Sequence, residues 1–363
     1  MSRKPSFTKS TEEDQHFILL KEAVKERLDL EEINYQNQFK VLLLPSLYFL
    51  FWFVAMQYQS YSFLYYLFYG LMGVLVTLIF VNLIHEACHY SLFKKKWKNK
   101  VIMYLFDCIG ANSFIWINRH IRMHHNYPNT IGWDTDIEQG GPLKLFPSEN
   151  NLFIQKYQHY WVFFLYPLFL LNWLLVRDFR DFYSAKRYIR KFVKIPLVEY
   201  FKLWFFKLLF ISYAIIIPIL VFNVSIGQAL LGFLIQMICG SLVGLVILLP
   251  SHANVGNEFP IPNANYRLPT TWLRHQFITT NDVHCENFVS KHVMNNFNYH
   301  LAHHLFPNVS STQIIKVTEI IKEFAMEYNF PYKSYSLLKA FQLHYQLVKK
   351  NAIKPESFFE ETM

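Results

Sequence analysis

The pentapeptide "HEACH" at 85–89 sets two imidazoles, His85 and His89, one helical turn apart with Glu86 between them. This is the HExxH spacing by which a zinc protease holds its metal and its general base. Whether it is a whole active site or one corner of a larger one depends on the other histidines. Of the 15 in the chain, nine fall into a pattern. "HIRMHH" supplies His120, His124 and His125, "HLAHH" supplies His300, His303 and His304, and His252 stands in "LLPSHANV". Spacings of three and four residues turn rings to one helical face. In both HH pairs a proline, Pro128 or Pro307, follows the second histidine by three residues, so each helix is expected to end there. One zinc takes three or four ligands; nine imidazoles exceed that number and suit two ions. Adjacent residues such as His124 and His125 point roughly 100° apart on a helix, so one can serve each ion. An all-nitrogen set fits iron better than magnesium or calcium, although zinc and copper also take imidazole. The expected cofactor is two iron ions (Fe2+/Fe3+), with these nine histidines as ligands and no catalytic residue separate from them.

The other histidines carry weaker signals. His16, His159, His284 and His344 read as packing or hydrogen-bonding residues, and His275 and His292 lie between His252 and the last box with no motif of their own. Cys88 reads as packing, with a thiolate ligand as the alternative. Carboxylates commonly orient metal-bound imidazoles. The candidates are Glu86, Asp134, Asp136, Glu138, Asp282 and Glu286, each with a solvated loop side chain as the alternative.

The elements that must position these residues are apolar. The chain has 363 residues, 53% of them hydrophobic and 18% aromatic, concentrated in blocks. Residues 41–57, 63–84, 203–221 and 226–249 read as four transmembrane helices, since a span needs roughly 20 apolar residues. Lys207 in the third is expected to snorkel toward the headgroups. The net charge of +9 comes without a nucleic-acid-binding motif, so no nucleic acid partner is expected. The basic runs "KKKWKNK" at 94–100 and "KRYIRKFVK" at 186–194 lie between the two pairs of spans. The positive-inside rule then makes residues 85–202 and 250–363 cytoplasmic, with both termini and the histidines. Two further apolar stretches, 101–117 and 160–176, read as interfacial or re-entrant, because as full spans they would carry "HIRMHH" to the opposite side. Residues 17–40 look like an amphipathic surface helix, and 1–40 form a cytoplasmic segment ahead of one membrane domain, 41–363. The four cysteines show no CxxC spacing and suggest no disulfide framework; the polar N-terminus reads as no signal peptide. The expected fold is all-α and multi-pass.

Iron held by neutral imidazoles suits dioxygen-dependent removal of hydrogen from an unactivated methylene, with the protein fixing the metals and excluding water. A hydrocarbon substrate also accounts for the membrane. The boxes resemble those of the membrane fatty acid desaturase family over most of the chain, from the first span to the region after "HLFP". "HEACH" matches the first box, "HIRMHHNYPNTIGWDTDIEQG" the second and "NYHLAHHLFPNVS" the third. "LVILLPSHANVGNEFP" followed by "HQFITTND" is similar to the acyl-CoA or linoleoyl-CoA desaturase-like branch, which has a further metal-binding histidine where His252 stands. The resemblance implies a di-iron enzyme placing a cis double bond in a fatty acyl chain, with dioxygen and two electrons.

Two departures from the pattern matter. Many front-end members carry Gln where His300 stands, so front-end regiochemistry is not expected. Many also carry a fused haem domain with an HPGG motif, which this sequence lacks. A separate donor, a ferredoxin or a cytochrome, is therefore expected to supply electrons, docking on the basic cytoplasmic surface. The other expected partners are the acyl substrate, as acyl-CoA or acyl-lipid, and membrane lipid. The rival readings are a di-iron lipid or carotenoid hydroxylase, an intramembrane zinc protease built on His85, Glu86 and His89, and a membrane scaffold with structural metals.

Overall fold

The structure, a computed structural model, describes residues 4–28, 35–138, 142–146, 152–285 and 287–352. Helix α1 (Thr11–Arg27) precedes the hairpin of α2 (Tyr35–Gln57) and α3 (Ser62–Cys88). Then come α4 (Lys96–Cys108), α5 (Ser113–His124) and the interrupted helix α6 (Phe153–Lys191). A second hairpin, α7 (Leu197–Phe222) and α8 (Ile226–Ser251), is followed by α9 (Trp272–Thr279), α10 (His300–Leu305), α11 (Ile314–Glu327) and α12 (Leu337–Lys350). The only sheet among the described residues is the parallel pair β1 (Asp282–Val283) and β2 (Ser334–Tyr335), in register Asp282 to Ser334. The fold is thus mostly helical, with this small exception to the all-α expectation.

The two hairpins pack through α3 and α8, which approach too closely for side chains at the crossing. A Cβ on Gly73 would lie 2.1 Å from the carbonyl oxygen of Gln236, and one on Gly240 would lie 2.8 Å from that of Gly73. The Thr77 hydroxyl donates to the Gly240 carbonyl at 2.8 Å. Small residues and such bonds hold helices together where lipid offers no hydrophobic drive for association. Ser225 caps α8, its hydroxyl accepting from the Gln228 N–H at 3.3 Å.

Four spans are expected, but five helices among the described residues are long and apolar enough to cross a membrane. The fifth is α6. Its middle packs on α8, where the Leu170 N–H donates to Ser241 Oγ at 3.0 Å. Ser241 lies eleven residues before His252, a depth of about 16 Å along a helix. Both ends of α6 meet the histidine-bearing layer: the Gln158 amide donates to the Val348 carbonyl at 2.7 Å, and Arg187 pairs with Glu138 at 3.2 Å. Helices α4 and α5 meet at 111°. Asp107 and Gly110, which interrupt this stretch in the sequence, build the bend. The Asp107 carboxylate accepts from the Ser113 N–H and hydroxyl at 2.8 and 2.7 Å, and Gly110 takes φ +91 against the ring of Phe210.

Two expectations need correction. Lys207 does not snorkel: it is buried, its amine 2.7 Å from Asp178 Oδ2 and donating to the carbonyls of Gly110 and Leu174. Those acceptors, from α6 and from the α4–α5 turn, replace the water and headgroups that the lysine would otherwise seek. Nor is 17–40 one helix. Helix α1 ends at Arg27, and residues from Tyr35 onward belong to α2. Leu20 and Val24 lie in one buried cluster with Leu273, Phe277, Val317 and Ile321, and Glu13 pairs with Arg274 at 2.6 Å. Helix α1 therefore packs on the layer of short helices that carries the third box.

Candidate metal centre

Each box sits where a helix ends. His85 and His89 close α3 just after a π turn at Phe80–Ile84, and His120 opens a second π turn, His120–His124. In that turn the His125 N–H donates to the His120 carbonyl, five residues back, at 2.9 Å. The wider turn returns residue i+5 toward the azimuth of residue i, so His125 faces the same way as His120 while His124 points elsewhere. His252 follows the end of α8, and α10 carries His300, His303 and His304. Asp282 caps α10 by accepting from the Leu301 N–H at 2.8 Å; burial pushes its pKa up to about 6 against that bond and the Tyr332 hydroxyl.

Two groups of four imidazoles result. His85, His89, His120 and His303 make one; His124, His252, His300 and His304 make the other; within each group the nitrogens lie within 4.8 Å of one another. His125 stands against the first, its Nε2 3.1 Å from those of both His120 and His303. The ring of His125 also stacks on that of His304 at 4.5 Å, so the two groups adjoin. All nine rings are buried. For His89, His125, His252, His300, His303 and His304, burial and the neighbouring imidazoles hold the pKa well below the ordinary value. Those six rings favour the neutral form that metal ligands need, whereas at His124 the Asp134 carboxylate outweighs burial and raises the pKa.

Hydrogen bonds on the outer nitrogens test whether a metal fits. His124 Nδ1 faces Asp134 at 3.0 Å, His252 Nδ1 faces the Thr279 carbonyl at 3.2 Å, and His304 Nδ1 faces Gln276 Oε1 at 3.1 Å. Each partner accepts, so Nδ1 carries the proton and Nε2 holds a lone pair. Yet His252 Nε2 and His304 Nε2 face one another at 3.1 Å. Two acceptors so placed are satisfied by a cation. Metal–nitrogen bonds of roughly 2.0–2.1 Å also place neighbouring ligand nitrogens about 3 Å apart. In the first group His89 Nε2 faces His120 Nε2 at 3.1 Å, and His85 Nε2 is buried without a hydrogen-bond partner among the described residues, so the residues fit a metal in each group.

Of the other candidates, Asp136 joins His120 and His124 in a third, smaller cluster. Asp134 orients His124, and its own carboxylate accepts from the Asn129 and Asp136 N–H groups. Asp136 stands 3.5 Å from His120 Nδ1 and 2.9 Å from Arg119, and Glu138 pairs with Arg187. Glu86 turns to the Ser91 hydroxyl at 3.0 Å and the Ser311 N–H at 3.4 Å. Glu286 lies outside the described residues. His275 bonds the Pro128 carbonyl at 2.9 Å, His344 bonds that of Ala253, and His292 packs on Phe288; none joins either group. Cys88 is a packing thiol, bonded to the His85 carbonyl.

The sequence reading missed several supports. Trp116 stacks on His120 at 4.8 Å, and Phe297 packs on His85 and His300. Fully buried Arg119 ties the second box to α6 through Asp136 and Asp181, and Arg187 of the basic run 186–194 is spent on Asp181 and Glu138. Charges inside the apolar α6, Asp178 and Asp181, were the available signal.

Beneath the histidines lies a pocket of about 180 Å³, most of its wall apolar. A second, much smaller cavity of about 30 Å³ shares Phe80, Phe169, Trp173 and Leu248 with it and extends to Thr77, Ala111 and Gly244.

The fatty acid desaturase family model matches residues 58–336. The sn-1 linoleoyl-lipid 6-desaturase of Arthrospira platensis is 28% identical over 79% of this chain and 77% of its own length. The protein of the same name from Synechocystis is 26% identical over 71% and 72%, and the acyl-lipid (8-3)-desaturase of Physcomitrium patens is 25% identical over 93% and 72%.

Proposed function

We propose, from the premise that this chain belongs to the fatty acid desaturase family, how its nine histidines and its apolar pocket divide the work. The enzyme is an oxidoreductase, a fatty acid desaturase. Its centre holds two iron ions, one by His85, His89, His120, His125 and His303 and the other by His124, His252, His300 and His304. Iron, when bound, supplies the dioxygen-dependent removal of two hydrogens from the acyl chain, completed by two electrons from an outside donor. The observation that carries this reading is an apolar pocket lined by His85, His120, His124, His252 and His300, with a deeper apolar cavity against the same Phe80, Phe169, Trp173 and Leu248 wall.

Each group of residues then has a task. Asp134, Gln276 and the Thr279 carbonyl fix which nitrogen of their histidine faces inward. Trp116 and Phe297 hold rings in place and keep water off them. The cavity walls hold the acyl chain so that one pair of carbons lies beside the imidazoles. The double bond is cis, and the relatives' names, with positions such as 5, 6 and 8, favour a carboxyl-proximal position, although His300 stands where many front-end members carry Gln.

In the topology we propose, α2, α3, α7 and α8 span the membrane, while α4–α5 and α6 dip in and return. The centre and both termini are cytoplasmic, and residues 41–363 form one domain behind the segment 1–40. Lys94, Lys95, Lys96, Lys98 and Lys100 are exposed just after the first box. They suit an acidic ferredoxin or cytochrome. The protease reading has no support here, because His85 and His89 share their group with His120 and His303, and Glu86 turns aside.

Expression in a host of known lipid composition, read by gas chromatography of acyl methyl esters, is expected to yield new unsaturated chains that a His304→Ala control lacks. Hydroxylated chains, or an unchanged profile, would reject the assignment. The cavity floor gives a second result. A Cβ on Gly244 would meet Thr77 at an ordinary 3.6 Å, so Gly244→Ala is tolerated by the backbone and narrows the deep end. The ratio of shorter to longer unsaturated products is expected to rise about tenfold, the value of one or two methylenes in an apolar pocket. An unchanged chain-length profile would show that the acyl tail does not reach there.

A further inference from the structure

A second groove runs along the surface between α12 and the Gln158–Leu165 turn of α6. Its walls are apolar, with Val162, Phe163 and Tyr166 on one side and Leu338, Phe341 and Tyr345 on the other. Lys349 stands at its far end, eleven residues from Leu338, or about 16 Å along the helix. Phe153, Tyr160 and Phe164 beside it are 66%, 69% and 77% exposed, continuing the lipid-facing surface of α6.

One hydrogen bond links the wall of the groove to the wall of the active-site pocket. His344 lines the groove, bonding the Tyr166 hydroxyl with one nitrogen and the Ala253 carbonyl with the other. Ala253 lines the active-site pocket and follows His252. At the Lys349 end, the Asn351 amide donates to the Leu145 carbonyl at 2.6 Å, and Leu145 also lines that pocket. A cation thus lies near the point where an apolar groove and an apolar pocket come together.

We propose that this groove seats the second, non-reacting acyl chain of a diacyl glycerophospholipid, with its phosphate at Lys349 and its reacting chain in the active-site pocket. The inference rests on the desaturase reading and goes beyond it by giving a seat to the chain that does not react, the relatives' names already pointing to an acyl-lipid. One headgroup with two tails matches one cation beside two apolar channels. A single-chain acyl thioester fills only one of them. The exposed aromatic flank opens the groove to lipid, where an acidic soluble protein would not sit.

The test uses the full-length, iron-loaded protein with an electron donor in phosphatidylcholine vesicles. Substrates are a diacyl phosphatidylcholine and the lysophosphatidylcholine bearing the same reactive chain. The wild type is expected to prefer the diacyl lipid about tenfold or more in kcat/KM, in line with a lost apolar contact. Gln346→Trp, a groove-lining exposed position, is expected to collapse that preference by raising KM for the diacyl lipid several-fold more than it lowers kcat. Lys349→Glu should act in the same direction. A preference unchanged in both variants, or absent from the wild type, overturns the proposal. A second measurement needs no turnover: benzophenone-alanine in place of Phe341 should photo-crosslink to phosphatidylcholine, and the lack of an adduct overturns it as well. Crosslinking without product from either substrate would leave the groove standing and overturn the desaturase reading instead.

Discussion

His303→Ala and His304→Ala, although neighbours in the chain, are expected to strip different metal ions. The rings lie at 87° to one another, and the structure puts His303 with His85, His89 and His120 but His304 with His124, His252 and His300. Each variant should bind about one iron per chain where the wild type binds two, and each should lose desaturation by more than about 100-fold, the upper range for damage to the outer partners of metal ligands. Metal analysis of the purified proteins reads the first effect and lipid profiling the second. The pair gains its force from partition. Combining His303→Ala with His89→Ala, both in one group, should still leave about one iron, whereas His303→Ala with His304→Ala should leave none. Equal metal loss in both double variants would mean one shared centre and would remove the two-ion assignment.

Lys207→Met is expected to be the most damaging change away from the histidines. Its amine is buried in α7 against Asp178 of α6 and the carbonyls of Gly110 and Leu174, so it is the buried charge that joins three segments also linked by the Tyr213–Cys108 and Tyr200–Phe182 hydrogen bonds. Removing the cation strands Asp178, which is 1% exposed, in an apolar setting. Breaking one side of a buried pair costs roughly 3–5 kcal/mol. The neighbouring α6 face carries Trp173 and Arg177 into the active-site pocket, so metal retention should fall as well. The double variant Lys207→Met with Asp178→Leu removes both charges and is expected to recover most of the lost stability, since apolar replacement of a buried pair is often neutral. Thermal unfolding of the purified protein in detergent measures both. A single variant that melts with the wild type would show the pair to be incidental, and a double variant no better than the single would assign the loss to the carbonyl contacts instead.

A good part of this protein was legible in its residues. The three boxes and His252 stood out because local spacing decides which side chains share a helical face, and the structure brings all nine into two adjoining groups. The paired spans with their short joins were equally plain, because the length of an apolar run is a one-dimensional property. Asp107 and Gly110 marked the break that became the α4–α5 bend.

Other features needed the folded chain. An ideal helix separates His124 from His125 by its own angle, but the π turn at His120–His124 is what brings His125 beneath His120. A lysine in an apolar run reads as snorkelling until a carboxylate 29 residues away reaches it. Helix α6 has the composition of a span, and only the folded chain shows its middle bonded to Ser241 and its ends to Val348 and Glu138. By itself the sequence determined the chemistry available, the candidate ligands and the apolar spans; the tertiary structure decided which imidazoles cluster, which charges are paired and where apolar cavities lie. The physical reason is that periodicity orders neighbours along one element, whereas pairing, burial and cavities belong to surfaces from distant segments that meet only on folding.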